Sequence, residues 1–265
     1  MRKDVPELIE KGKLAEREGR RDEARRLFEE ALHALGSASN AAMASALLRW
    51  IGRTYHTDGD HAAAIDCLEA ALCVAELSGD QAAAGHAINL QAIVHWRLGE
   101  LDQAEHLYSR ARETALVAGE QWLAAMTAQN LGVIANIRGD LDRALRFYHT
   151  ALTEYRTVGS ASEMCGVLNN MGKLHTDLEQ WDAAIRSFDE AAQIATVLGD
   201  VGAQILIEVN RAEMFIARSD FVAARDVCIN ALRLSETTGD SHVLGEIHMH
   251  LGTVSHPWSR TTEVR

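Results

Sequence analysis

The sequence predicts an all-α protein built as a solenoid of helical hairpins, and three observations predict it. A glycine followed by an acid recurs on a twenty-residue grid: Gly59-Asp60, Gly79-Asp80, Gly99-Glu100, Gly119-Glu120, Gly139-Asp140, Gly199-Asp200 and Gly239-Asp240. Two alanine columns repeat every forty residues without exception. They are Ala24, Ala64, Ala104, Ala144, Ala184 and Ala224, and Ala31, Ala71, Ala111, Ala151, Ala191 and Ala231. Only two prolines occur, Pro6 and Pro257, so the long span between them lacks the residue that breaks helices.

Each element follows from this grid. Residues 141–159 carry Leu141, Ala144, Leu145, Tyr148, Ala151, Leu152 and Tyr155 at i, i+3, i+4, i+7 spacing, an amphipathic helix. A run of roughly eighteen residues between breaks is about 27 Å of helix at 1.5 Å per residue. Glycine takes the left-handed conformation that ends one helix. The acid after it caps the free N–H groups of the next and suits the positive end of its dipole. Breaks are expected near residues 19, 36–39, 59, 79, 99, 119, 139, 159, 179, 199, 219 and 239, giving thirteen helices. The hairpins span about residues 1–39, 40–79, 80–119, 120–159, 160–199 and 200–239. Short connections make neighbouring helices antiparallel.

Within a hairpin, the first helix presents Gly12, Gly52, Ala92, Gly132, Gly172 or Ala212 where the backbones approach closely. The second presents the two alanines and a bulky partner: Phe28, Leu68, Tyr108, Tyr148, Phe188 or Cys228. One hairpin cannot bury its whole apolar surface, but a stack can. Residues 241–255 form a first helix, with Gly252 in register but no second helix to follow. They are expected to cap the stack over residues 1–256. Pro257 stops this helix, and residues 257–265, with Trp258, are expected to be a flexible tail.

The formal charge is −12, and residues 1–40 are balanced, so the excess acid lies in the remainder. That balance argues against non-specific binding to nucleic acid or to an anionic membrane. Cys67, Cys73, Cys165 and Cys228 form no CxxC pair and read as small buried hydrophobes in a reducing compartment. The charged opening, MRKDVPELIEKGKLAEREGR, has no apolar run of a signal peptide, and no stretch reaches the roughly 20 apolar residues of a membrane span. A cytoplasmic location is expected.

The columns Gly132, Ala144, Tyr148, Ala151 and Gly172, Ala184, Phe188, Ala191 resemble the tetratricopeptide repeat, and the match covers about residues 4–255. The unit here is 40 residues rather than 34, and the proline usual after the second helix is missing. Longer helices joined by Gly-Asp turns account for both departures. The variant looks like the repeats of Pins-type scaffolds, kinesin light chains and bacterial regulators. The resemblance implies a right-handed superhelix of six hairpins. It also implies a concave groove, lined by the first helix of each, that binds a peptide or a partner helix.

Carried onto this sequence, the groove positions are Arg49, Arg53 and His56; His86, Asn89 and Trp96; Gln129, Asn130 and Asn136; Asn169, Asn170 and Lys173; and Asn210. Asn130, Asn170 and Asn210 fall forty apart, as a ladder whose amides either grip a peptide backbone or join neighbouring helices. Arg49 and Arg53, one turn apart, suggest a site for an acidic group. Past Asn210 the corresponding positions hold Glu246 and His250, which does not suit a terminal carboxylate. Trp96 is the best aromatic anchor, with Trp50 and Trp122 as others, and Trp181 reads as packing. His242, Glu246 and His250 share a helical face, but the HExxH pattern of zinc proteases is absent, and no metal or other cofactor is expected. No nucleotide-binding or nucleophile-elbow motif stands in a strand context.

The sequence therefore points to a non-catalytic scaffold for a protein or peptide partner. A sensor module of a bacterial signalling system, binding a peptide or small molecule, is one alternative. A structural unit that self-associates through open solenoid ends is another.

Overall fold

Each turn whose residues are all described is closed by the same pair of backbone bonds. At the second hairpin the Asp60 N–H donates to the Tyr55 carbonyl (3.0 Å) and the Gly59 N–H to the His56 carbonyl (3.1 Å). This Schellman closure needs a left-handed residue, and Gly59, Gly79, Gly119, Gly159 and Gly199 supply it with φ between 67° and 86°. Where the sequence has no glycine, Glu179 (φ 56°) and Ser219 (φ 65°) are held in the same conformation.

The computed structural model describes residues 4–36, 40–236 and 241–255, with thirteen helices and no strand among them. The helices are α1 (Val5–Arg17), α2 (Arg21–Leu35), α3 (Ala41–Asp58), α4 (His61–Ser78), α5 (Gln81–Arg97), α6 (Leu101–Ala118), α7 (Gln121–Ile137), α8 (Leu141–Val158), α9 (Ala161–Asp177), α10 (Trp181–Leu198), α11 (Val201–Ala217), α12 (Phe221–Ser235) and α13 (Ser241–Ser255). The expected break at 239, most of that at 36–39 and the tail 257–265 with Trp258 lie outside the described residues. Among the described residues, no helix is long and apolar enough to cross a membrane.

The acids that follow the left-handed residues do not all behave alike. Asp60, Asp80, Asp140, Asp200 and Asp220 each accept a hydrogen bond from the backbone N–H three residues on, as an N-cap should. Glu100 does not cap α6. Its longer side chain turns back to Nδ1 of His95 at 2.5 Å. The expectation that either acid serves as a cap holds for these aspartates and fails for Glu100.

The chain divides into two compact units, residues 1–134 and 135–265. In the first, α1 packs on α2, α3 on α4 and α5 on α6, while α2 leans on α3, α4 on α5, and the first helices α3 and α5 touch. In the second, α9 packs on α10 and α11 on α12. There α8 also meets α9, α10 meets α11, and α9 and α11 touch. All twelve alanines of the two columns are fully buried, as are Phe28 and Phe188. Gly12 and Gly172 let the backbones close over these rings. A methyl on either would stand 2.5 Å from the Cε1 of Phe28 or Phe188. Helix α13 packs on the second unit through Ile247, which is fully buried among Ile205, Val209 and Cys228. Gly252 has the register of Gly172, yet nothing lies within 4 Å of a methyl placed there.

Candidate functional site

In the first unit, the candidate side chains come from the first helices of successive hairpins. Arg53 sits on α3 but points at α1, where its Nε and Nη2 donate to the two carboxylate oxygens of Glu16 at 2.8 and 2.5 Å. Arg49, one turn earlier, is half-buried, and its Nε is buried without a hydrogen-bond partner. The two arginines therefore do not form one anion site. Burial lowers the Arg49 guanidinium from its usual range. Asp80 works against this, and the charge of Arg53 adds to it. Asp80 is itself engaged, with its Oδ1 accepting from the Ala83 N–H at 2.9 Å.

His86 on α5 lies within the field of Arg49. Burial lowers its pKa most and the Arg49 charge lowers it further, while Glu120 and Asp80 oppose. One turn along α5, Asn89 is 2% exposed, and its Oδ1 has no hydrogen-bond partner. Arg49 and Asn89 thus each bring to neighbouring first helices a buried polar atom whose bonding capacity is unmet, and His86 lies on the same helix as Asn89. His56 stands near the end of α3, its ring centroid 5.2 Å from that of His61, and burial lowers its pKa. Trp96 is half-buried, with the Arg97 guanidinium 5.1 Å from its ring centroid. Gln129 and Asn130 are half-buried on α7. Trp50 packs on Phe28 at 5.4 Å, which makes it part of the core.

In the second unit the asparagines behave differently. Asn210 on α11 donates from Nδ2 to Oδ1 of Asn169 on α9 at 2.8 Å, and both are buried. The partner of Asn210 is thus Asn169, forty-one residues back, and not the Asn170 of the forty-residue ladder. Asn170 is half-buried, Asn136 half-buried and Lys173 exposed. On α13, His250 faces Glu213 at 3.8 Å. The side chain of His242 lies outside the described ones. Among the described residues, no three His, Cys, Asp or Glu side chains gather as a metal site.

Sequence reasoning missed two features of this unit. The first is a cavity of about 120 Å³ between α9, α10 and α11, walled by Cys165, Gly166, Asn169, Leu198, Leu206 and Ile207. Its signal was Gly166, a helical glycine in a register that elsewhere reads Ala46, His86, Met126 and Leu206. The second is Glu208, 9% exposed in a register that elsewhere reads Leu48, Ile88, Ala128 and Leu168. Its Oε1 accepts from Asn230 Nδ2 at 3.2 Å, and burial raises its pKa.

This hairpin architecture recurs in solved structures. BtubC from P. vanneervenii is 20% identical with a TM-score of 0.69, over 91% of this chain and 94% of that one. A signal transduction ATPase with a tetratricopeptide repeat sensor, from Pyrococcus horikoshii, is 14% identical with a TM-score of 0.79, over 93% of this chain and 38% of that one. A Rap conjugation gene regulator of the plasmid pLS20, solved with the Phr* peptide, is 15% identical with a TM-score of 0.65, over 93% and 73%. No curated protein matches the chain. Family models described as tetratricopeptide repeat match residues 42–116, 83–157 and 165–200, together more than half of the sequence. With its alanine columns buried and its hairpins closed as that repeat requires, the chain belongs to the tetratricopeptide repeat family.

Proposed function

We propose that the chain is a non-catalytic, cytoplasmic scaffold that holds a partner peptide or helix against its first helices, with Arg49 and His86 receiving an acidic group of the partner. The observation that carries this reading is Arg49. A purely structural arginine would be expected to spend its buried Nε on a neighbour, as Arg53 spends its own on Glu16. A buried polar group left unmet costs about 1–3 kcal/mol, which an incoming carboxylate would offset. Asn89, with its buried Oδ1 equally unmet, offers an acceptor for a backbone N–H of the same ligand. The Rap regulator solved with a peptide supports a peptide as the ligand class. The likeness to a tetratricopeptide repeat sensor of a signalling ATPase favours a second reading, a sensor module taking a peptide or small molecule.

The test is calorimetric titration of a partner identified by mass spectrometry after capture from the native host. Arg49→Ala should weaken binding roughly 10- to 100-fold, the range of a charged hydrogen bond. The loss should shrink as salt rises. Arg53→Ala should change affinity little. Arg49→Ala should not lower the melting midpoint, because it removes a buried cation without a direct partner. A lower midpoint with unchanged affinity would assign Arg49 to the fold and sink the reading.

A further inference from the structure

The cavity between α9, α10 and α11 differs in kind from the polar cluster of the first unit. Its walls are Cys165 and Gly166 from α9, Leu198 from the end of α10, and Leu206 and Ile207 from α11, with Asn169 beside them. Leu206 is 53% exposed at its edge, whereas Ile207 and Cys165 are buried. The Cys165 thiol is occupied by a backbone carbonyl, that of Ala191 at 3.4 Å. Burial pushes its pKa up, so it forms a neutral wall and not a nucleophile.

Gly166 opens this cavity. It lies inside a helix and is not among the glycines with positive φ, so no turn requires it. A helical glycine costs about 0.5–1 kcal/mol relative to alanine, yet the register that carries Ala46, His86, Met126 and Leu206 carries none here. Gly166 stands in the cavity wall, so a side chain added there would narrow the space. Asn169 lines the cavity with its Oδ1 committed to Asn210, and among the described residues nothing accepts from its Nδ2. A donor held in place thus stands next to an apolar hole.

We infer that this cavity is a side-chain pocket that takes one aliphatic residue of leucine size from an extended partner peptide, while Asn169 Nδ2 donates to the peptide carbonyl beside that residue. The inference rests on the peptide-scaffold reading and deepens it. Size sets the choice. An apolar cavity of about 150 Å³ holds benzene, so about 120 Å³ suits a four-carbon branched group and is tight for a phenyl ring. Asp200 at the rim caps the Ala203 N–H at 2.9 Å through its Oδ1. The Asn169–Asn210 bond gains a purpose here: it fixes which end of the Asn169 amide faces the ligand.

The probe is N-acetyl-leucine-N-methylamide, titrated into the full chain and followed through the methyl resonances of Leu206 and Ile207. Saturable shifts are expected, with the alanine analogue at least roughly tenfold weaker because it buries three fewer carbons. The phenylalanine analogue should also bind more weakly. Gly166→Met, which restores the side chain of Met126 in the same register, should abolish the shifts without lowering the melting midpoint. Asn169→Ala should weaken the leucine probe several-fold. Absence of saturable shifts up to the solubility limit, equal affinity for leucine and alanine, or full binding by Gly166→Met would each overturn the pocket. The captured partner separates the two readings. If it binds Gly166→Met normally but fails with Arg49→Ala, the pocket is refuted and the scaffold stands.

Discussion

Gly172→Ala is the sharpest test of how these hairpins close. Alanine favours a helix over glycine by about 1 kcal/mol, so propensity alone predicts a more stable protein. Packing predicts the reverse. The added methyl would stand 2.5, 2.6 and 2.7 Å from three carbons of the Phe188 ring, closer than real methyl contacts come. That ring is fully buried between Ala184 and Ala191 of its own helix, themselves fully buried, and has little room to move. The helices can shift somewhat, since the same register holds Ala92 and Tyr108 in the third hairpin, both buried. Overpacking costs about 1–3 kcal/mol, and three contacts below 3 Å put this case at the upper end, about 2–3 kcal/mol, so after a propensity gain of about 1 kcal/mol the net loss should be about 1–2 kcal/mol. At roughly 2–4 °C per kcal/mol, the melting midpoint should fall by a few degrees. Gly252→Ala is the control, at the same register with nothing within 4 Å, and should be neutral or slightly stabilising. Urea denaturation followed by circular dichroism reads both, and a cycle with Phe188→Leu should show that the penalty depends on the ring. A Gly172→Ala protein as stable as wild type, or equal losses at 172 and 252, would refute the close-approach argument.

Glu179→Gly and Ser219→Gly should each stabilise by roughly 0.5–1 kcal/mol, because φ near 60° disfavours any residue with a Cβ, as denaturation midpoints would show. Stability should fall as pH drops below 6.5, the ordinary histidine value. His56, His86 and His175 have folded pKa values lowered mainly by burial, so their contribution is present above 6.5 and lost as pH falls through the lowered values. Replacing all three by glutamine should flatten a melting profile across that range, and an unchanged slope would count against burial as the cause. Glu208 runs the other way. Its pKa is raised by burial, so its charged form opposes folding above 4.5, and Glu208→Gln should raise the melting midpoint at neutral pH.

The period of the sequence determined the fold by itself. Glycine every twenty residues fixes where helices stop, because only a left-handed residue closes the turn. Alanine columns every forty fix which faces meet, because only small side chains fit there. Those constraints are local or periodic, so they are written along the chain, down to α13 and its Ile247. Even the turns at Glu179 and Ser219, which lack glycine, were legible from the spacing of their neighbours. The site was less so. That Arg53 reaches across thirty-seven residues to Glu16 while Arg49 keeps a buried nitrogen unmet depends on how α1 lies beside α3. The spacing of the two arginines carries no trace of it. The forty-residue asparagine ladder placed Asn210 with Asn170. The tertiary structure joins Asn210 to Asn169 instead, because Asn169 is the α9 amide that reaches α11. The cavity behind Gly166 is likewise a property of three helices at once, and an absent side chain becomes a space only when its surroundings are in place.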